Sequence, residues 1–432
     1  MSECGKSKNE LAWEKLFAKH DIFNKIDRDG EFIISAVKIK EEREPRLMAK
    51  FDHSANLPPI FANNKLTILP ITRGDYIISH YEAYSPFVDK KVELNQFSLP
   101  EHLQSLSVNN IPSETIAINC ALASGMLSDF LEEETLYSTV SGRMGSGKFS
   151  FAINNINMKM PVRVNVNQSQ IEIDAAFEGL ESLALLEAKR DLADDFLVRQ
   201  LYYPFRVWQT RVTKTVRPVF IVYSNSIFRL YEYRFDDPDN YNSLALVKQK
   251  NYTIEETAIQ LSELIELKCS IKEFTSEPEI PFPQADAFSR LINLCELLKE
   301  HSMTREQVTA EYDFDIRQTN YYTDAGRYLG LIDKVSNKQS GVTYLLSDLG
   351  KRILGLDYKH RQLALCKCIL EHKVFYDVFE LWLKSGKMPT RSAIVNVMKQ
   401  TVLYNINSDE TFNRRASTIK HWINWIFDLI ER

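Results

Sequence analysis

The sequence contains no apolar run near the ~18 residues that a membrane span requires. Its first residues, Met1-Ser2-Glu3-Cys4-Gly5-Lys6, lack the apolar stretch of a secretory signal, so a soluble, cytoplasmic protein is the expectation. Six cysteines in 432 residues are too few and too scattered for a disulfide framework. Cys366 and Cys368 come nearest to a pair, but only Lys367 separates them, one residue short of a zinc knuckle. All six read as small buried apolar side chains. None of the eight histidines stands at a metal-ligand spacing or beside a nucleophile. An excess of positive charge is missing too. With 53 Lys+Arg against 58 Asp+Glu the net charge is −5, which argues against indiscriminate coating of nucleic acid but leaves room for a local basic face.

What is present is ordinary globular chemistry, 44% hydrophobic and 26% charged. The length suggests about three domains. From Ala285 onward there are 21 Lys+Arg and 18 Asp+Glu, a surplus of three, which leaves −8 for residues 1–284. Ser276-Glu277-Pro278-Glu279-Ile280-Pro281-Phe282-Pro283 crowds three prolines into six residues. Neither a helix nor a central strand can run through it, so 276–284 reads as a linker.

Ahead of the linker, 113–133 has the spacing of one helix, with Ser113 as its cap and Ile116, Cys120, Ala123, Leu127 and Phe130 on one face. Residues 148–174 switch to period two, first through Phe149, Phe151 and Ile153, then from Val162 to a strand ending at Asp174. Leu183-Ala184-Leu185-Leu186 suits a central strand. Residues 191–210 look helical with an interruption at Pro204, and 218–223 and 227–233 look like further strands. The order predicts an α/β core with a mixed sheet over 113–275. Residues 1–112 read as an α+β elaboration, with strands around the Arg73-Gly74-Asp75 turn, that either packs on the sheet or contacts DNA.

The chemistry concentrates on Asp174, Glu187 and Lys189. Glu187 and Lys189 are two apart on a strand and share a face of the sheet. A connection through Phe177-Glu178-Gly179 folds Asp174 back beside Glu187. Two adjacent carboxylates repel unless a cation intervenes, and hard oxygen ligands suit Mg²⁺. An ammonium beside them orients or deprotonates a metal-bound water and offsets charge on a pentavalent phosphate. Glu-x-Lys recurs at Glu266/Lys268 and Glu371/Lys373, but there on helical patterns. The plainer alternative for the first triplet is an ion pair at a solvated strand end.

Gln170-Ile171-Glu172-Ile173-Asp174, Leu185-Leu186-Glu187-Ala188-Lys189 and Phe196-Leu197-Val198-Arg199-Gln200-Leu201-Tyr202-Tyr203-Pro204 together resemble the core of the PD-(D/E)xK nuclease superfamily. More narrowly they resemble a group of bacterial type II restriction endonucleases. Arg43-Glu44-Pro45-Arg46-Leu47-Met48 and Ile68-Leu69-Pro70-Ile71-Thr72-Arg73-Gly74 are similar to the N-terminal part of that group. The likeness covers about 40–235 and, more loosely, the tail. It implies a restriction-endonuclease-like sheet, Mg²⁺ held by Asp174, Glu187 and the carbonyl of Ala188, water positioned by Lys189, and a supporting acid at Glu114. It also implies a bacterial source and a cognate DNA methyltransferase that shares the target. The sequence departs from the family by having Ile173 where a proline precedes the first acid. Gln200 and Tyr202 either brace the site, as similar helix residues do in some relatives, or pack against Phe205 and Trp208.

Gly142-Arg143-Met144-Gly145-Ser146-Gly147-Lys148 resembles a P-loop, but Phe149 replaces the hydroxyl that would hold Mg²⁺, and alternation rather than a helix follows. A glycine-rich turn, with or without Arg143 and Lys148 on DNA phosphates, is the expectation, and no nucleotide cofactor. Behind the linker, 285–356 fits a winged helix. A first helix spans 286–298, and the capping box Thr304-Arg305-Glu306-Gln307 opens a second. A third begins at Ile316 and presents Arg317, Gln318, Asn320, Tyr321 and Arg327, side chains able to pair with base edges. A hairpin wing follows around 337–341. In the last unit, 357–432, a helix from Ser408 carries Arg414, Arg415 and Lys420 on one side and Trp422, Trp425, Ile426 and Leu429 on a core face. Taken together, the sequence points to a Mg²⁺-dependent, sequence-specific endonuclease of double-stranded DNA. One site per chain suggests a homodimer. The rivals are a non-catalytic winged-helix regulator and a structure-specific repair nuclease.

Overall fold

The computed structural model describes residues 6–88, 92–107, 111–311, 316–337 and 341–430. At the N-terminus, Ser7 and Glu10 form a reciprocal capping box that opens the helix Lys8–His20, and the helix Ile22–Asp29 follows. Trp13, Leu16, Phe17 and Ile26 turn inward with Ile34 of β1 (Phe32–Ser35), Ile68 of β2 (Thr67–Pro70) and Ile78 of β3 (Asp75–Ser79). These three strands form an antiparallel sheet in the order β1-β3-β2. Asp75, expected in the turn, already belongs to β3.

The chain continues through β4 (Tyr84–Pro86) and β5 (Leu94–Gln96) into the helices Glu114–Ala123 and Met126–Leu131. Ser113 caps the first as expected, but the single helix foreseen over 113–133 is two. Gly125 sits at φ +86°, a left-handed conformation that breaks an α-helix. Next come β6 (Tyr137–Gly145), β7 (Lys148–Ile153), β8 (Val162–Asn167), β9 (Gln170–Glu178) and β10 (Ser182–Lys189). After them stand β11 (Asp195–Leu197), β12 (Thr215–Ser224), β13 (Ile227–Phe235) and β14 (Leu244–Thr253). Seven of these make one sheet in the order β5-β14-β13-β12-β10-β9-β6. It is mixed: β10 runs parallel to β12 and β14 to β5, and the other neighbours are antiparallel. One face packs on the helix Arg199–Trp208 through Leu183, Leu185, Leu201 and Tyr202. The other packs on the two helices of 114–131 through Ala184, Leu186, Ala121 and Phe130. β10 is therefore apolar on both faces, the pattern of a covered central strand.

Two sequence expectations need correction here. Residues 191–197 are not helical; they hold a loop and β11. Pro204 does not interrupt the helix but lies inside Arg199–Trp208, with its ring in a crevice lined by Ile173, Leu185 and Leu201. The glycine-rich segment 142–148 is strand, turn, strand rather than one turn. β6 extends to Gly145, and only Ser146-Gly147 bends. Opposite, Gln168-Ser169 bends between β8 and β9, with Gly147 at φ +68° and Gln168 at φ +57°. The pairing never slips across this kink: Gly142 faces Ile173, Gly145 faces Gln170, Lys148 faces Asn167 and Ile153 faces Val162. β6–β7 and β8–β9 thus form one bent antiparallel ribbon, whose outer half folds over the helix Arg199–Trp208. Phe149 and Phe151 meet Tyr203 and Tyr202 there.

Beyond the helix Leu261–Ser270, residues 271–287 are irregular, as the prolines dictate. They are not loose, because Phe282 is buried and stacks on Phe375. The next block runs through the helix Phe288–Glu300, β15 (Met303–Thr304), the helices Arg305–Glu311 and Ile316–Tyr328, β16 (Ile332–Asn337) and β17 (Gly341–Leu346). Thr304 and Gln307 cap reciprocally, as the sequence indicates. Five more helices complete the chain: Asp348–Leu354, Tyr358–Leu370, Lys373–Ser385, Arg391–Lys399 and Asp409–Asp428. Cys366 and Cys368 are buried in the second of these. Among the described residues no helix is long and apolar enough to cross a membrane.

The helical region is bolted to the end of the sheet at the β12–β13 turn, where Asn225 and Ser226 both have positive φ. The Glu296 carboxylate accepts from the Ser224 hydroxyl (2.8 Å) and the Asn225 N–H (2.9 Å). The amides of Asn225 and Gln362 pair, and Arg361 donates to the Ser226 hydroxyl.

A pH effect follows from His372. It is buried and stacked on Tyr328, and burial pushes its imidazole down to about 4. A base depressed in the folded state stabilises above its unfolded value and loses that contribution as pH falls. Between pH 6.5 and 4 the protein should lose about 3 kcal/mol from this group. His372→Phe keeps the ring stack, and chemical denaturation across that range should show a flatter acid limb.

Candidate active site

The centre forms where β9 and β10 part. Ile171, Ile173 and Ala176 face one core, whereas Ala175 and Phe177 face the other, so the two-residue alternation slips at Asp174. The ladder agrees. β6 pairs Gly142 with Ile173 and Val140 with Ala176, leaving two residues of β9 opposite Ser141 alone. This is a β-bulge, a device that re-aims a side chain. Asp174 therefore does not end its strand, as the alternation suggested. It stands at a bulge within β9, which runs on to Glu178. Pairing of β9 with β10 stops at Ala175 opposite Leu186. Asp174 Oδ2 accepts from the Ala188 N–H just beyond, at 2.8 Å. The hairpin turn is held by buried Glu133, whose carboxylate takes the N–H of Leu180 and Glu181 and the Ser182 hydroxyl.

Glu187 and Lys189 project from the same face of β10, as the two-residue step requires. Glu187 Oε1 accepts from Lys189 Nζ at 2.7 Å and from Gln200 Nε2 at 2.6 Å. Gln200, in the first turn of the helix Arg199–Trp208, thus belongs to the site. Tyr202 does not: its ring lies in the core and its hydroxyl donates to the Pro238 carbonyl. Burial pushes Glu187 up to about 7, the Asp174 charge adds to this, and Lys189 opposes it. Asp174 is raised by burial against the pull of the Ala188 N–H and Lys189. Glu114, first residue of its helix, is raised by burial, with Lys189 opposing and the Asp174 charge adding. Burial disfavours the Lys189 ammonium, but Glu187, Asp52 and Glu114 outweigh it and hold the amine well above its usual value.

Sequence spacing missed the contribution of the N-terminal region. Asp52 Oδ2 stands 3.8 Å from Lys189 Nζ. His53 is buried, with Nε2 3.1 Å from Asp191 Oδ2 and Nδ1 against the Asp195 carbonyl, 142 residues away along the chain. Burial would raise Asp191, but the hydrogen bond and charge of His53 keep it below the usual carboxylate range. Asn293 holds the same loop from the other side. Its amide donates to the Arg190 carbonyl (2.6 Å) and accepts from the Leu192 N–H (3.1 Å). A cleft of about 410 Å³, lined by Ser113, Glu114, Arg190, Asp191, Glu300 and His301 among others, opens beside the centre.

The donors suit a hard divalent cation. Burial raises both carboxylates, and the Asp174 charge raises Glu187 further, a state that a cation relieves. Gln200 Oε1 is buried beside them without a hydrogen-bond partner among the described residues. Among the described residues no cluster of three or more His, Cys, Asp or Glu is placed to hold a metal.

The expected DNA-reading residues fare unevenly. Arg317 is exposed at the start of its helix, while Gln318, Asn320 and Tyr321 are half-buried. Arg327 is taken up by Asp324 at 2.7 Å. Residues 338–340 of the expected wing lie outside the described residues. On the last long helix Arg414 and Lys420 are exposed, but Arg415 turns inward. Burial, aided by the Arg414 charge, lowers its guanidinium to about 10. The three therefore do not form one outward basic face. Trp422, Trp425, Ile426 and Leu429 are core, as expected.

Residues 10–78 match a family described as Domain of unknown function (DUF6996), residues 79–253 one described as Domain of unknown function (DUF6997), and residues 290–431 one described as Domain of unknown function (DUF7226). No curated protein and no solved structure matches the chain.

Proposed function

We propose that this chain is a Mg²⁺-dependent, sequence-specific endonuclease of double-stranded DNA, of the type II restriction class. The observation that supports it best is the convergence of Asp174, Glu187, Lys189 and Gln200 where β9 and β10 diverge. This is the arrangement that the PD-(D/E)xK resemblance implies. Asp174, Glu187 and the Ala188 carbonyl would hold Mg²⁺, which when bound supplies a Lewis acid for the scissile phosphate and an acidified water. The remaining work belongs to side chains. Lys189 Nζ orients the attacking water and offsets charge on the pentavalent phosphate. Gln200 fixes the Glu187 carboxylate, and Glu114 adds negative potential from the helix on the far side. Asp52 shares the Lys189 ammonium and keeps it charged. The block 288–346, three helices followed by a hairpin, is winged-helix-like and offers Arg317 to DNA. With one site per chain, cutting both strands calls for a homodimer on a palindromic target, protected in the cell by a cognate methyltransferase.

Unmethylated phage DNA with Mg²⁺ should yield discrete fragments with 5′-phosphate ends, and a chelator should abolish them; gel electrophoresis and end-labelling read both. A smear or a preference for branched DNA would support a repair nuclease instead. Binding without cleavage under every divalent metal would support a regulator.

A further inference from the structure

We infer that the outer half of the bent ribbon, β7–β8, enters the major groove of duplex DNA and reads bases there. The charge pattern comes first. From Thr135 to Ile171 the chain has no Asp or Glu, although 58 acids in 432 residues would put about five in that stretch. It carries Arg143, Lys148, Lys159 and Arg163 instead, within a chain of net charge −5.

The fold places this chemistry on one surface. Phe151, Ile153, Val164 and Val166 face inward and are buried over the helix Arg199–Trp208. The outward face pairs Lys148 with Asn167, Ser150 with Asn165 and Ala152 with Arg163. Lys148, Arg163, Asn165 and Asn167 are exposed, and among the described residues none of their side chains has a hydrogen-bond or ion-pair partner. The flanking loop carries Asp236, Asp237 and Asp239, of which Arg234 holds the first at 2.6 Å and Arg206 the third at 2.8 Å. B-DNA's major groove admits a two-stranded ribbon. Asn is the side chain that pairs bidentately with adenine, and Arg or Lys with guanine. Ser150 and Ala152 are small enough to let the backbone approach. The two strands β7 and β8 have no acid of their own to repel phosphates. The helix Ile316–Tyr328, favoured from sequence, has fewer free groups: Arg327 is paired, and Gln318 is already engaged.

The ribbon also leads to the proposed chemistry. Its unbroken register ends at Gly142 opposite Ile173, and the next residue is Asp174. This inference rests on the nuclease reading for its link to cleavage, but not for its test.

The full chain is used to select sites from randomised duplex DNA in Ca²⁺, which replaces Mg²⁺ to prevent cutting. Arg163→Ala, Asn165→Ala and Asn167→Ala should each weaken the selected site by roughly 5- to 150-fold and leave random DNA almost unaffected. Removing purine N7 atoms from the DNA, which alters only the major-groove edge, should reproduce that loss in the unmodified protein. Lys148→Ala should weaken all DNA alike and lower the salt slope by about one. Unchanged selectivity in all three Arg and Asn variants overturns the inference. So does equal affinity for duplex RNA, whose major groove is too narrow for a ribbon. If the protein selects a site but never cuts with Mg²⁺, the nuclease reading fails and the ribbon stands. If it cuts and the variants keep their fragment pattern, the ribbon fails and the nuclease stands. Failure of the unmodified protein to bind any DNA overturns both.

Discussion

Lys189→Ala should abolish DNA cleavage, by at least ~10³-fold, while DNA binding in Ca²⁺ stays within about twofold. The side chain is a buried cation facing Glu187, Asp52 and Glu114, and its charge also acts on Asp174. With it would go the ammonium proposed to orient water and face the transition state, but no part of the exposed surfaces proposed to meet DNA. The variant also leaves buried Glu187 without its ion pair, which should lower the melting temperature of the metal-free protein. Ca²⁺ should then restore more of that stability than it adds to the unmodified protein. Thermal melts with and without Ca²⁺ test this even where cutting cannot be followed. Cleavage that survives in both Lys189→Ala and Asp174→Ala refutes the proposed centre.

The second large effect is structural. Trp422 is fully buried, meets Phe288 at 5.0 Å and stacks on Phe375 at 5.2 Å. Its indole N–H donates to the Ala285 carbonyl at 2.7 Å, tying the last helix to the end of the proline-rich segment. Trp422→Ala should cost about 3–5 kcal/mol, through the lost ring and the cavity it leaves. The orphaned Ala285 carbonyl adds to that. Equilibrium unfolding in urea should show the midpoint fall. Trp425→Ala should cost less, because Trp425 is 9% exposed.

Local pattern made much of this legible. The apolar run of β10, the common face of Glu187 and Lys189, the Thr304–Gln307 cap and the tryptophan face all depend on neighbours within a few residues. What escaped depends on tertiary contact. Asp52 and His53 reach the centre only because the N-terminal region docks on the loop after β10, and no periodicity encodes that. The bulge at Asp174 is a slip of one residue, which alternation read from sequence treats as a strand end. The helical spacing over 113–133 runs straight through Gly125, whose positive φ divides the helix. Pro204 looked like a breaker, yet the helix Arg199–Trp208 runs through it. Strand β14 carries four consecutive half-exposed polar residues, Lys248, Gln249, Lys250 and Asn251, and gives little period-two signal.

The β12–β13 turn has a consequence for how the molecule can be dissected. Asn225 and Ser226 lie inside the matched segment 79–253, but Glu255, Glu296, Arg361 and Gln362, which hold that turn, all lie beyond it. A fragment that stops at Thr253 would bare three polar residues and the hydrophobic end of the sheet beneath them. Severed at the family boundaries, neither half should be a well-behaved protein by itself. The whole chain is the smallest piece worth purifying, and two complementary fragments produced together should reassemble through this joint.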